Sequence, residues 1–333
     1  MIDDFVNSPI SAVQYSYGPV PSRRLGRSLG INNIPAKVCS YSCVYCQVGR
    51  TTQLEIDRRF FYDPEEIFRD VRLRTAKAEQ DGERIDYLTF VPDGEPALDV
   101  NLGKAIALLK PLNIPIGVIT NSSLIWREDV RTELETADWV SLKIDAVTEA
   151  IWRRINRPHP ALRLVSILDG VLKFAETFTG KLVTETLLVN ALNDGEGCAR
   201  ATAAFLAELQ PAVAYLAIPT RPPAEKRTHR PDEAALNRTY QIFAQKALHV
   251  EYLIGYEGDA FAYTGDVEKD LLSITAVHPM RKEAVEALLS RAGATWAAVE
   301  RLVAQGDLRE TNYDGHCFYL RRFNFMQKDR DSE

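Results

Sequence analysis

A chain of 333 residues, 46% hydrophobic and 26% charged, can bury one large core and a smaller one, and its formal net charge of −6 argues against wholesale nucleic-acid binding. Five cysteines are too few for a disulfide framework, and no apolar run is long enough to span a bilayer. The opening Met-Ile-Asp-Asp-Phe lacks a basic stretch followed by an apolar core, so no secretory signal is read there and a reducing cytoplasm is expected.

In chain order, residues 1–27 read as an extension that packs on the body of the protein. Short apolar runs then alternate with longer amphipathic stretches, the pattern of parallel βαβ units. Strands are predicted at 28–32, 87–91, 116–120, 139–145, 182–189 and 214–218. Helices are predicted at 63–80, opened by Asp63-Pro64 as cap and first turn, and at about 100–110. Six strand–helix units are fewer than the eight that close a barrel, so the expected fold is α/β, a partial (β/α)6 TIM-like barrel over 28–258. Beyond it the pattern changes. Helices at 266–275, 281–291 and 295–305 and a hairpin of 308–312 with 316–322 about Tyr313-Asp-Gly315 predict a small winged-helix-like domain over 265–323. It would serve as a cap or as a nucleic-acid reader. A polar tail, 324–333, ends the chain.

The densest signal is Cys39-Ser-Tyr-Ser-Cys43-Val-Tyr-Cys46. Three thiolates on one short loop can hold three irons of a [4Fe–4S] cluster and leave the fourth iron to an outside ligand. A structural zinc site or a chance group of small buried residues are the alternatives; zinc would need a fourth ligand, and no second pair follows. Cys198 and Cys317 stand alone and read as inert residues.

In a parallel barrel, functional groups collect where strands run into their following loops. The second strand runs into Pro92-Asp-Gly-Glu-Pro96, where Gly94 admits close backbone approach and Glu95 offers a carboxylate suited to a bound ammonium group. The third ends in Thr120-Asn121-Ser-Ser, a helix cap or a ligand contact. Along the fourth, alternation puts Ser141, Lys143 and Asp145 on one face and Val140, Leu142 and Ile144 on the other. The apolar face belongs against helices, which sends Lys143 and Asp145 inward, as an ion pair or as a ribose or carboxylate site. On the fifth, Val183, Leu187 and Val189 are expected against the helices, with Thr184, Thr186 and Asn190 inward and Glu185 undecided. The sixth feeds the rigid Pro219-Thr-Arg-Pro-Pro223, holding Arg221 at the mouth as an anion partner or a plain surface guanidinium.

Taken together, Cys39-x3-Cys43-x2-Cys46 with Tyr45 before the last cysteine, the Gly94-Glu95 turn, the polar end of the third strand and the Lys143/Asp145 face resemble the radical S-adenosylmethionine (SAM) superfamily over about residues 15–255. The stretch 18–31 and the turn at 219–223 look like a subgroup commonly placed with the wyosine-type tRNA-modifying proteins. The resemblance implies a [4Fe–4S] cluster held by Cys39, Cys43 and Cys46, whose open iron chelates SAM. It also implies one-electron cleavage to a 5′-deoxyadenosyl radical that abstracts hydrogen from a substrate, and a low-potential donor of the flavodoxin or ferredoxin type. On the same basis Gly94 and Glu95 would meet the SAM amino group and Tyr45 the adenine. Thr120, Asn121, Lys143 and Asp145 would line the ribose or carboxylate region, with Thr186, Asn190 and Arg221 as further contacts. The turn is Asp93-Gly94-Glu95 where the family often has Gly-Gly-Glu, and no cysteine precedes Cys39, unlike the two-cluster wyosine synthases. The substrate is left unidentified, RNA or tRNA being the class the subgroup suggests. A redox-sensing DNA-binding regulator and a glycyl-radical activase are the alternatives.

Overall fold

The computed structural model describes residues 15–255, 258–259 and 261–322; the expected tail at 324–333 and the first fourteen residues lie outside them. Its main sheet has eight strands in the order β1 (Ser16–Ser22), β2 (Gly26–Ile31), β5 (Tyr87–Phe90), β6 (Ile116–Thr120), β7 (Trp139–Lys143), β8 (Lys181–Leu187), β9 (Val213–Ala217) and β10 (Val250–Leu253). Two short strands, β3 (Val38–Cys39) and β4 (Gln53–Leu54), pair in the loop after β2. From β2 to β10 every neighbouring pair is parallel, and the sheet curls into a partial barrel.

Six strand–helix units are present, as the alternation of apolar runs predicts. Their crossovers are α1 (Pro64–Gln80), α2 (Leu102–Leu109), α3 (Glu128–Leu134), the pair α4 (Glu149–Asn156) and α5 (Leu164–Thr177), α6 (Glu196–Leu209), and α7 (Glu233–Ala244). Asp63 caps α1, accepting the Glu65 N–H at 3.0 Å, and Ile67 and Val71 mark its buried face. Parallel strands covered by helices are apolar on both faces. Leu88, Phe90, Val118, Val140 and Leu142 meet the helices in one large core, while Leu25, Trp139, Val183, Val213 and Leu253 fill the inside of the curl.

Two strands go beyond the expected six. β10 adds a seventh parallel strand; at four residues, with Glu251 exposed, it carries too little apolar pattern to be read. β1 runs antiparallel to β2, so residues 16–22 are part of the sheet itself. The reading of residues 1–27 as an extension packed on the body missed this strand; as an edge strand it tolerates the prolines of Gly-Pro-Val-Pro because one row of its N–H groups has no ladder to join. Gly30 makes this pairing possible: a Cβ there would lie 2.0 Å from the Tyr17 ring.

The last segment contains α8 (Val267–Val277), β11 (Met280–Arg281), α9 (Lys282–Ala292), α10 (Ala297–Ala304), β12 (Leu308–Tyr313) and β13 (His316–Arg321), the strands ordered β11-β13-β12. Asp314 and Gly315 turn the hairpin with φ of 50° and 77°, the paired left-handed conformation that Asp-Gly favours. The core here joins Leu271, Ile274, Leu288 and Leu302 to Tyr17 and Val20 of β1. Replacing Gly30 with alanine should force the Tyr17 ring off β2 and lower stability by about 1–3 kcal/mol, read as a fall in the urea or thermal midpoint.

Candidate active site

One cavity of about 290 Å³ opens at the C-terminal ends of the strands, lined in turn by the cysteine loop, Asp93 and Gly94, Thr120, Ser141 and Lys143, Glu185, and Arg221. Cys39, Cys43, Cys46 and Tyr45 all border it. The turn after β5 is stitched to the cysteine loop: the Glu95 N–H donates to Val38 O at 3.2 Å. A Cβ on Gly94 would lie 2.0 Å from that same oxygen and 2.7 Å from Ile34 Cδ1, so only glycine fits.

Two buried carboxylates organise the surroundings of the cysteines. Glu95 accepts from Thr120 Oγ1 at 2.6 Å, the Ala97 N–H at 3.0 Å and the Asn121 N–H at 2.7 Å. Asn121, held in this way, donates its side-chain amide to Ser40 Oγ at 2.9 Å and to Cys39 Sγ at 3.4 Å. Asp145 accepts from the Tyr45 hydroxyl, from Asn156 Nδ2 at 2.7 Å and from the Leu187 N–H at 2.9 Å. Asn156 in turn lies with Nδ2 3.5 Å from Cys43 Sγ. Each carboxylate thus fixes an asparagine, and each asparagine offers an N–H to a cysteine sulfur. Burial pushes the Glu95 carboxyl up to about 7 despite its three donors, and raises Asp145 although Lys143 opposes it.

Charge inside the cavity is paired. Glu185 bridges Lys143 and Arg24, the latter reaching in from the turn between β1 and β2. Burial alone would raise Glu185, but the two cations outweigh it and hold its carboxyl down at about 2. The Lys143 ammonium also sits 4.9 Å from the Tyr45 ring centroid. Lys37 and Asp93 form a second buried pair at 2.7 Å. Arg221 donates to Gln47 Oε1 at 2.5 Å and lies 3.0 Å from His278 Nε2, tying the cysteine loop to the segment just after α8.

The structure brings together Cys39, Cys43, Cys46, Tyr45, Gly94, Thr120, Lys143 and Arg221 around the cavity. Glu95, Asn121 and Asp145 stand behind that lining and brace it. The predicted facing of β8 is reversed. Glu185 and Leu187 line the cavity and Val183 fills the curl, so Thr184 and Thr186 point to the helix side, where Thr186 Oγ1 donates to Ile144 O at 2.7 Å. Hydrophobicity misled there, because the inside of the curl is itself apolar near its floor. Asn190 is exposed beyond the strand and does not reach the cavity. The asparagine that matters in that segment is Asn193, whose Nδ2 donates to Asp145 O and Leu187 O, both at 2.9 Å. Asn156, Asn193, Arg24 and Lys37 went unread because each acts through partners distant in sequence. The Arg23-Arg24 doublet at a tight turn was the one local hint.

Burial pushes the Cys43 thiol up to about 12, with Asp145 adding to the effect, and raises Cys39 and Cys46 as well. Such thiols ionise only against a cation that replaces their lost hydration. Among the described residues no Cys, His, Asp or Glu group converges on a single ion. Three soft donors bordering one cavity, two of them with amide donors, are residues that would hold a larger iron–sulfur group.

The profile of the Radical SAM superfamily matches residues 33–196. A UPF0026 protein of Methanocaldococcus jannaschii is 46% identical over 318 residues, 95% of this chain and 98% of that protein. A UPF0026 protein of Synechocystis is 36% identical over 208 residues, 62% of this chain and 76% of that one. In fold, the structure is similar to a radical SAM methyltransferase from Sphaerobacter thermophilus, with TM-score 0.51, 16% identity, and 68% of this chain and 66% of that chain covered. The chain belongs to the radical SAM superfamily and, within it, to the family of UPF0026 proteins. It is an enzyme of that class, whose cofactors are a [4Fe–4S] cluster and SAM.

Hydrogen bonds to cysteine sulfur favour the more negative, reduced state of a cluster. Asn121→Ala and Asn156→Ala are therefore expected to keep the iron of the reconstituted protein while lowering its midpoint potential, followed by redox titration with electron paramagnetic resonance. Gly94→Ala should instead prevent cluster incorporation, visible as loss of bound iron and sulfide.

Proposed function

We propose that this chain cleaves SAM reductively and directs the resulting hydrogen abstraction at a substrate held inside the curled sheet. The observation that carries this reading is the convergence of Cys39, Cys43 and Cys46 with Tyr45, Gly94 and Lys143 on one cavity at the strand ends. When bound, the cluster and SAM supply a single electron and a 5′-deoxyadenosyl radical.

The chain's own residues hold, orient and enclose. Gly94 leaves its backbone bare beside the cysteine loop, where an amino group can dock. Lys143 offers the cationic partner for a carboxylate: burial works against its charge, but Glu185 and Asp145 together with the Glu185 hydrogen bond more than offset that cost. Tyr45 presents its ring at the cavity wall, fixed from behind by Asp145. Thr120 borders the same space while its hydroxyl stays committed to Glu95. Glu95, Asn121 and Asp145 are positioning residues in this scheme, and Arg221 closes the mouth against His278.

We take residues 28–258 as the catalytic barrel and 265–323 as a winged-helix-like unit, whose order α8-β11-α9-α10-β12-β13 is that of such domains. The electrostatics of α10 favour a cap over a DNA reader, since Glu300 is exposed and Arg301 pairs with Glu268. The enzyme reading therefore stands ahead of the regulator. RNA or tRNA is the proposed substrate class, on the likeness to wyosine-type proteins, and the cytoplasm the proposed location. No helix among the described residues is long and apolar enough to cross a membrane.

Anaerobic reconstitution with iron and sulfide, followed by SAM and dithionite, should yield 5′-deoxyadenosine detectable by chromatography. Cys43→Ala is expected to abolish that product; undiminished product would remove the cysteine loop from the chemistry.

A further inference from the structure

The cysteine loop has a second side. Its Ser42 N–H donates to Asn156 O at 3.1 Å and its Val44 N–H to Ile155 O at 3.0 Å, so the end of α4 backs the loop. The segment after the Pro219–Pro223 turn backs it as well: the Glu225 N–H and Thr228 Oγ1 both donate to Val44 O, at 3.0 and 3.2 Å. None of Ser42, Val44, Asn156 or Glu225 lines the cavity, so these contacts lie on the face turned away from it.

That outer face is basic in a chain of net charge −6. Arg154, Arg157, Lys226, Arg227 and Arg50, on or next to the segments that make or flank these contacts, are all exposed. The acid among them, Glu225, is shared between two guanidiniums, Arg157 at 2.6 Å and Arg50 at 2.9 Å. Arg154 lies in the last turn of α4 and Arg157 caps its C-terminal end, and Arg154, Lys226 and Arg227 make no ion pair among the described residues. Two backbone segments from different parts of the chain thus collect cations directly behind the loop that carries the cysteines.

We propose that this face is the docking surface for an acidic, low-potential one-electron carrier protein of the flavodoxin or ferredoxin type. The proposal rests on the radical SAM reading and adds the place where the electron enters. Electron tunnelling weakens steeply with distance, so a carrier must approach behind the cysteines. The cavity side is the wrong side, because SAM and substrate would fill it. A patch of exposed cations steers an acidic partner into that position and speeds encounter, an effect that salt suppresses. One electron leaves the reduced carrier and one enters the cluster; no bond forms or breaks and no proton need move. A nucleic acid would also be drawn to these cations, but the patch stands on the far side of the loop from the cavity in which hydrogen abstraction would occur.

The test uses the reconstituted full chain, with reduced flavodoxin as the probe, and the triple variant Arg154→Glu/Lys226→Glu/Arg227→Glu. All three side chains are exposed and make no ion pair among the described residues, so iron content should match the parent. Stopped-flow reduction by flavodoxin at low salt is expected to slow about 10-fold or more and to lose most of its dependence on salt. Reduction by dithionite, and 5′-deoxyadenosine formation with it, should be unchanged. Equal flavodoxin rates and equal salt dependence in parent and variant would overturn the proposal. So would an unaltered flavodoxin rate accompanied by lost binding of a tRNA transcript in a filter assay, which would make the face a nucleic-acid site. Absence of 5′-deoxyadenosine from the parent with dithionite would instead overturn the underlying enzyme reading.

Discussion

Everything at the cavity depends on two carboxylates removed from water. An ionised carboxylate in a protein interior is unfavourable unless donors surround it. Glu95 and Asp145 meet that condition with three donors each, drawn from different segments of the chain. Ala97 belongs to the turn of Glu95 itself, but the other donors belong to the end of β6 and the residue after it, to the cysteine loop, to α4 and to β8, so satisfying the two acids also fixes how the segments sit against one another. The asparagines then carry this rigidity to the sulfur atoms. Geometry near the cysteines is thus set from behind, by groups that need not touch a ligand.

This division of labour separates what local pattern reveals from what it conceals. The cysteine spacing and the six apolar runs are local, and each predicted strand lies within two residues of its observed counterpart. On β7, Ser141 and Lys143 line the cavity and Val140, Leu142 and Ile144 join the helix-side core as alternation predicts, but Asp145, expected inward beside Lys143, stands behind the lining. The same rule failed on β8, because it assumes that one side of a strand is wet. Inside a curled parallel sheet neither side is wet at the floor, so Val183 is as much at home within the curl as Leu182 is beneath the helices.

Roles were harder to read than positions. Glu95 and Asp145 are expected from the sequence to contact a ligand, whereas both stand behind the cavity lining, and their donors come from up to 100 residues away, as with Tyr45 and Asp145. No single segment displays that network. Asn156, at the end of a helix that the sequence reading did not single out, carries no local sign that its amide reaches both Asp145 and Cys43. The charge balance of the cavity was hidden for the same reason, since Arg24 belongs to a turn that precedes Glu185 by 161 residues.

The first strand of the sheet has a consequence for how the molecule is assembled. Tyr17 and Val20 complete a core whose other fully buried members come from beyond residue 260. During synthesis β1 can pair with β2 early, but Tyr17 and Val20 gain the rest of their covering only when almost the whole polypeptide has emerged. Any shortened version that ends at the barrel would leave those two residues without their covering, beside the strand that already forms the edge of the sheet, and so favour self-association. The closing segment acts as a clasp on the opening one, and excising it would leave the barrel without its own seal.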